Sequence, residues 1–256
     1  SEGEEGKFFV WTPDEIEATL GKGDAEVFCR YFDVSRRGNF EGKSILNVPV
    51  PMTEFAAKER LTVEELHTLI ERGRRQLFVE REKRVKPHRD EKILTSWNGL
   101  MLVSFANAAA VLNRPDYLDR ARKNADFVLS HLRQEGRLLR TFKDGQAKLN
   151  GYLEDYACFV EGLLSLFEAS GELPWLEEAV QLNETMLDQF WDAASASFYL
   201  TGRDHEKLIA RVKDFHDNAT PAGSSVAIFN LLKLAILTGD EEYRRKAEAN
   251  LCSMKT

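Results

Sequence analysis

From residue 97 onward, two kinds of helical stretch alternate along the chain. Trp97 to Leu112 (WNGLMLVSFANAAAVL) is apolar around nearly its whole circumference, so the pattern predicts a helix buried on most sides. After the turn residues Asn113 to Asp116, Tyr117 to Leu132 is amphipathic, with Tyr117, Ala121, Ala125, Val128 and Leu132 on one stripe. The pair returns as Tyr152 to Ala169, a turn over Ser170 to Pro174, and Trp175 to Phe190. It returns a third time as Pro221 to Leu237, Thr238 to Asp240, and Glu241 to Met254. Each second helix carries an aromatic followed one helical turn later by alanine: Tyr117 and Ala121, Trp175 and Ala179, Tyr243 and Ala247. The interval of the repeat is roughly 60 to 70 residues.

A buried helix followed by an amphipathic one, repeated, is what two concentric rings of helices require. The first helix of each hairpin touches neighbours on both sides in an inner ring, and the second covers it and meets solvent. Arg137 to Phe142 and Ser197 to Thr201 are β-like and suit short ribbons between hairpins. An open α-solenoid is the competing architecture, but its repeats run shorter, at roughly 33 to 47 residues. The expectation is therefore an all-α toroid of helical hairpins.

The first 90 residues are less regular. Lys7 to Trp11 (KFFVW) reads as a short strand. Thr12-Pro13-Asp14-Glu15 is a helix start, with an N-cap hydroxyl, proline at N1 and acids in the first turn. An interruption follows near Gly21 and Gly23, and a second piece runs to about Phe32. Ser35 to Pro51 is a long connection rich in Gly, Asn and Pro. Thr62 opens a helix expected to reach about Val85, and Pro87 ends it. Residues 1–90 thus hold the first helices and the connection, and residues 91–256 hold three clear hairpins of one partial toroid.

Composition narrows the function classes. With 43% hydrophobic and 30% charged residues in 256, there is ample material for a core. A net charge of −7 gives no electrostatic reason to expect nucleic acid. The basic run from Arg72 to Lys86 is interleaved with Glu71, Glu80 and Glu82 and reads as a solvated helix face. No apolar run approaches the roughly 18 residues of a membrane span, so a soluble protein without a membrane partner is expected. The acidic opening Ser1 to Gly6 lacks the composition of a signal peptide. Cys29, Cys158 and Cys252 match no metal or redox spacing, which points to a reducing compartment, the cytoplasm. Neither a metal nor a cofactor is expected, since no H-E-x-x-H, C-x-x-C, acidic calcium loop or Gly-rich phosphate loop occurs. An isoprenoid chemistry would need an Asp-rich motif or zinc site, and the sequence has neither.

Five ordered blocks carry a resemblance: Ser1 to Trp11 (SEGEEGKFFVW), Gly38 to Leu46 (GNFEGKSIL), Asp90 to Leu100 (DEKILTSWNGL), Leu153 to Ala157 (LEDYA) and Ala219 to Leu231 (ATPAGSSVAIFNL). In these the chain resembles the YyaL-type, spermatogenesis-associated thioredoxin-like family. That resemblance implies an (α/α)6 toroid of the six-hairpin glycosidase type, incomplete in this chain, attached to a thioredoxin-like domain in the full-length protein. It delivers no reaction, because the family has none firmly established.

Toroids of this type bind substrate in a funnel at the N-terminal ends of the inner helices, where aromatics stack on sugars and carboxylates do acid-base work. The resemblance therefore singles out Asp155, Asp217 and His216 as candidate catalytic groups. Trp97, Asn98, Tyr152, Glu154, Tyr156, Asn218 and Ser224 are candidate contacts to a sugar-like small molecule. Each has a plainer explanation. Acids in a first helical turn complement the macrodipole, Asp217 and Asn218 close turns, and Trp97 fits core packing. Two functions follow as expectations: binding or processing of a carbohydrate-like ligand, or a non-catalytic scaffold presenting clients to the thioredoxin-like domain.

Overall fold

The computed structural model describes residues 3–206 and 209–253, and the expected final helical residue Met254 lies outside them. The chain divides into two compact units, residues 1–90 and 91–256. In the first unit, α1 (Pro13–Leu20) and α4 (Val63–Arg81) each begin with a capping box, Thr12 with Glu15 and Thr62 with Glu65. Between them lie α2 (Lys22–Tyr31) and α3 (Met52–Glu59). The helices close on Trp11, Ile16, Phe28, Tyr31, Phe55, Leu66, Ile70 and Leu77. Three expectations are revised here. Lys7 to Val10 is a turn instead of a strand, because Phe9 and Val10 donate to the Gly6 carbonyl and only Trp11 bridges to Ser44. The Arg84 guanidinium takes the carbonyls of Phe8 and Val10 at 3.1 and 2.7 Å, leaving them unavailable to a partner strand. The helix from Thr62 stops at Arg81, and α3 is additional.

The second unit opens with β1 (Ile93–Leu94), α5 (Thr95–Leu112) and α6 (Pro115–His131). Strands β2 (Arg133–Gln134), β3 (Arg137–Lys143) and β4 (Gln146–Asn150) follow, with β3 pairing antiparallel to β1, β2 and β4. Next come α7 (Leu153–Ser170), α8 (Leu173–Phe190), and the small ribbon β5 (Trp191–Asp192) with β6 (Ser197–Phe198). The third hairpin is α9 (Gly223–Thr238) and α10 (Glu241–Ser253). Each inner helix ends on a left-handed residue, Asn113, Gly171 or Gly239, which lets the chain reverse into its outer helix. The repeated alanines Ala121, Ala179 and Ala247 are all fully buried, so the aromatic-then-alanine signature marks where outer helices seat on the core.

Helix α7 packs between α5 and α9. A Cβ on Gly99 of α5 would lie 2.5 Å from the Cys158 carbonyl carbon, and one on Gly223 of α9 would lie 2.9 Å from the Glu154 nitrogen. Glycine at both places lets neighbouring backbones nearly touch, with the N-termini of the inner helices at one common end. Only α7 is buried on both sides. On α5 the side chains of Trp97, Met101, Val111 and Leu112 are exposed, and on α9 those of Phe229 and Ile236. The expectation of burial on most sides, made for Trp97 to Leu112, is corrected for α5, which bares one apolar side as α9 does; the middle helix α7 is the one buried on both sides. No helix among the described residues is long and apolar enough to cross a membrane.

Candidate functional site

At the common end, Asp155 is the centre of a hydrogen-bond network. It is 0% exposed. Its Oδ1 accepts the Ser96 backbone N–H at 3.0 Å, and its Oδ2 accepts the Tyr152 N–H at 2.9 Å and Arg140 Nη1 at 3.2 Å. Burial pushes the Asp155 carboxyl up, against the Arg140 charge and the two backbone donors. Arg140, projecting from β3, also holds Glu154 at 2.7 Å and lies 4.6 Å above the Tyr152 ring. Burial works against the Arg140 charge, but the Asp155 and Glu154 carboxylates more than offset it and raise its pKa. His205 also meets Tyr152, ring to ring at 5.0 Å; it accepts the Gly202 N–H at Nδ1.

The remaining candidates divide by burial. Tyr156 is fully buried, and its hydroxyl accepts the Leu138 N–H at 2.8 Å. Asn98 donates to the Leu94 carbonyl at 2.8 Å and accepts from Asn124 at 3.1 Å, pinning α5 to α6. Ser224 is buried and donates to the Asp214 carbonyl at 2.6 Å. Asp217 accepts the Ala222 N–H at 2.7 Å and so closes the turn entering α9. The His216 side chain is 91% exposed, beside the exposed Asn218. Trp97 is 64% exposed at the start of α5. Both acids of the expected pair, Asp155 and Asp217, therefore have structural partners; Trp97, His216 and Asn218 are the exposed candidates, and Tyr152 and Glu154 are half-buried.

One line of residues was not singled out from the sequence. Apart from its last turn, α7 opens to solvent only at Glu154 and Glu161, and Glu168 continues the same stripe. The seven-residue spacing puts successive carboxylates about 10.5 Å apart along the axis. Glu154 pairs with Arg140, and Glu168 pairs with Lys233 of α9 at 3.0 Å. Burial pushes the Glu161 carboxyl up, with the Lys233 charge opposing it. The signal was present as three glutamates at heptad spacing in a mostly apolar helix. Among the described residues no group of three His, Cys, Asp or Glu is arranged to hold a metal ion.

Comparison with known proteins bears on the family and the fold. No family model matches the chain. It is 34% identical over 272 residues to human spermatogenesis-associated protein 20, covering 94% of this chain and 35% of that protein. The chain spans about a third of the length of the curated relatives it matches. Among solved structures it is similar to a family 76 α-mannanase of Bacteroides thetaiotaomicron, with a TM-score of 0.55 and 16% identity over 66% of this chain and 46% of that one. It is also similar to cellobiose 2-epimerase from Bacillus thermoamylovorans, with a TM-score of 0.56 and 11% identity over 79% of this chain and 57% of that one. The fold is accordingly the helical-hairpin toroid of the six-hairpin glycosidase type.

Proposed function

The chain belongs to the family of spermatogenesis-associated protein 20, and from that premise we propose that its toroid portion binds, and in the full-length protein processes, a carbohydrate-like ligand at the N-terminal end of the inner helices. The observation that carries this reading is the solvent-open line of α7. A buried helix spends its few exposed positions on glutamates, and the flanking helices present the exposed aromatics Trp97 and Phe229. Carboxylates and aromatic faces together are the usual means of gripping a hydroxyl-rich ring. The proteins that share the fold and act on mannan or cellobiose support the same class of ligand. In this reading Arg140, Tyr152 and Glu154 form the polar mouth, Asp155 holds it in place, and Asp217 and His216 border it from the loop before α9. The protein works in the cytoplasm, which suits its three free cysteines.

A glycan array and a thermal-shift screen that includes cellobiose and mannobiose, run on the full-length protein, test the reading. Saturable binding weakened by W97A or E154Q supports it, and the absence of any hit sinks it. A second reading has its own support in the structural commitment of Asp155 and Asp217, which fits a non-catalytic scaffold for an attached thioredoxin-like domain. A full-length protein that binds client polypeptides and no glycan favours that alternative.

A further inference from the structure

We propose that residues 1–90 carry a binding site of their own, independent of the carbohydrate reading: a cleft along α4 that takes a small organic monocarboxylate with an apolar body, held by the Arg81 guanidinium. The cleft measures about 610 Å³, within the range of roughly 300 to 1,000 Å³ usual for small-molecule sites. Its apolar lining comes from the buried side chains of Trp11, Phe28 and Leu77 and from the exposed Phe78. All of these belong to the first compact unit.

Arg81, which lines the same cleft, points to a ligand. Its guanidinium lies 5.2 Å from the Phe8 ring, 5.8 Å from Phe9 and 5.2 Å from Phe78. Rings attract a cation without accepting its N–H groups in ordinary hydrogen bonds. Among the described residues no hydrogen bond reaches this guanidinium. The Glu82 carboxylate comes no closer than 4.0 Å and is also paired with Lys86. Nε is enclosed, so the two terminal nitrogens are the donors open to the cleft. A side chain packed at 29% exposure, with its terminal donors unspent, is complementary to a planar carboxylate.

Charge sets the ligand class. Glu71, Arg74, Phe78 and Arg81 recur at spacings of three and four residues and so share one stripe of α4, with Arg75 one turn after Glu71. Arg74 is matched by Glu71 at 2.6 Å. Among the described residues neither a hydrogen bond nor an ion pair reaches the Arg75 side chain. The cleft is therefore positive within a chain of net charge −7, and it draws an anion. The Glu71 carboxylate in the lining repels a second negative charge, and the apolar surface makes its desolvation costly. A monocarboxylate is thus favoured over a phosphate dianion. An inorganic anion would leave the apolar lining bare, so the ligand carries a hydrocarbon or aromatic body.

Titration calorimetry of the protein with 2-naphthoate tests the proposal, with uncharged 2-naphthamide and with 2-naphthyl phosphate for comparison. Naphthoate is expected to bind at one site, at least about tenfold tighter than the amide. R81Q, which keeps most of the stem among the rings, should weaken naphthoate by about tenfold to a hundredfold and leave the amide unchanged. R75Q removes only the field of a nearby cation and should cost about two- to fivefold, less at high salt. Equal affinity for naphthoate and the amide, a preference for the phosphate, or undiminished binding of naphthoate by R81Q each overturns the proposal. If R81Q does not fold, the ratio of naphthoate to amide affinity in wild type and in R75Q decides. A cleft that takes none of the three, while R75Q changes the sedimentation of the protein, is an interface for another chain, and that result also overturns it.

Discussion

The backbone N–H of Ser96 on α5 donates to Asp155 Oδ1 of α7 at 3.0 Å, so one helix is capped by the side chain of its neighbour. Helix α5 has no side-chain cap of its own and no acid in its first turn. The carboxylate that accepts the Ser96 amide and complements the helix dipole belongs to the next hairpin. Asp155 also caps α7 through Tyr152 and holds Arg140. One buried carboxylate thereby fixes two helix starts and a strand.

Removing that carboxylate should loosen the whole end. D155A leaves two backbone donors without an acceptor and strips Arg140 of one partner, which costs about 3 kcal/mol. D155N keeps the shape and one acceptor oxygen and should lose less. Urea unfolding of the two variants checks the order, and equal stability of D155A and wild type would contradict the capping role.

Gly99 is held by steric contact with Cys158. G99A places a methyl group where the α7 backbone already stands, and something must shift. The expected loss is about 3 kcal/mol, read as a lower urea midpoint. A neutral G99A would mean that the helices are farther apart than described.

Tyr156 contributes its hydroxyl as acceptor for the Leu138 amide, joining α7 to β3. Y156F keeps the ring and removes the acceptor from a buried N–H, at a cost of about 1–2 kcal/mol. Amide exchange at Leu138 should speed up more than at its neighbours.

Glu161 makes a pH-dependent prediction for stability. A carboxyl whose folded pKa lies above its unfolded value favours folding at low pH, and that contribution is lost as pH rises through the folded pKa. At pH 7 wild type therefore carries a cost that E161Q lacks. E161Q should melt higher there, by about 1–3 °C. The difference should shrink below the unfolded value of about 4.3. Melting curves at pH 4 and pH 7 decide it, and a gap that widens on acidification would reverse the assignment.

Much of the architecture was legible because it rests on periodicity. The apolar-all-round stretch from Trp97 and the striped one from Tyr117 became α5 and α6, and the same pairing held twice more. Helix α3 was hidden because it buries little more than Phe55 and Ala56, too few positions to set a period. The site was harder to read. An acid in a first turn looks the same whether it caps its own helix, caps a neighbour or faces a ligand, and only side-chain direction tells Asp155 from Glu154. Arg140 was concealed in a ribbon that seemed merely connective. The glutamates of α7 could have been found by asking which long charged side chains recur at heptad spacing in a mostly apolar helix.

The bare side of α5 has an optical consequence. Trp97 stands in water, whereas Trp11 is 3% exposed and Trp175 and Trp191 are half-buried. Its emission should form the red, iodide-quenchable part of the intrinsic fluorescence. Whatever comes to lie against that helix, be it further hairpins, a companion domain or a ligand, must turn that component blue and shield it. The molecule thus carries its own gauge of whether that side of α5 is covered.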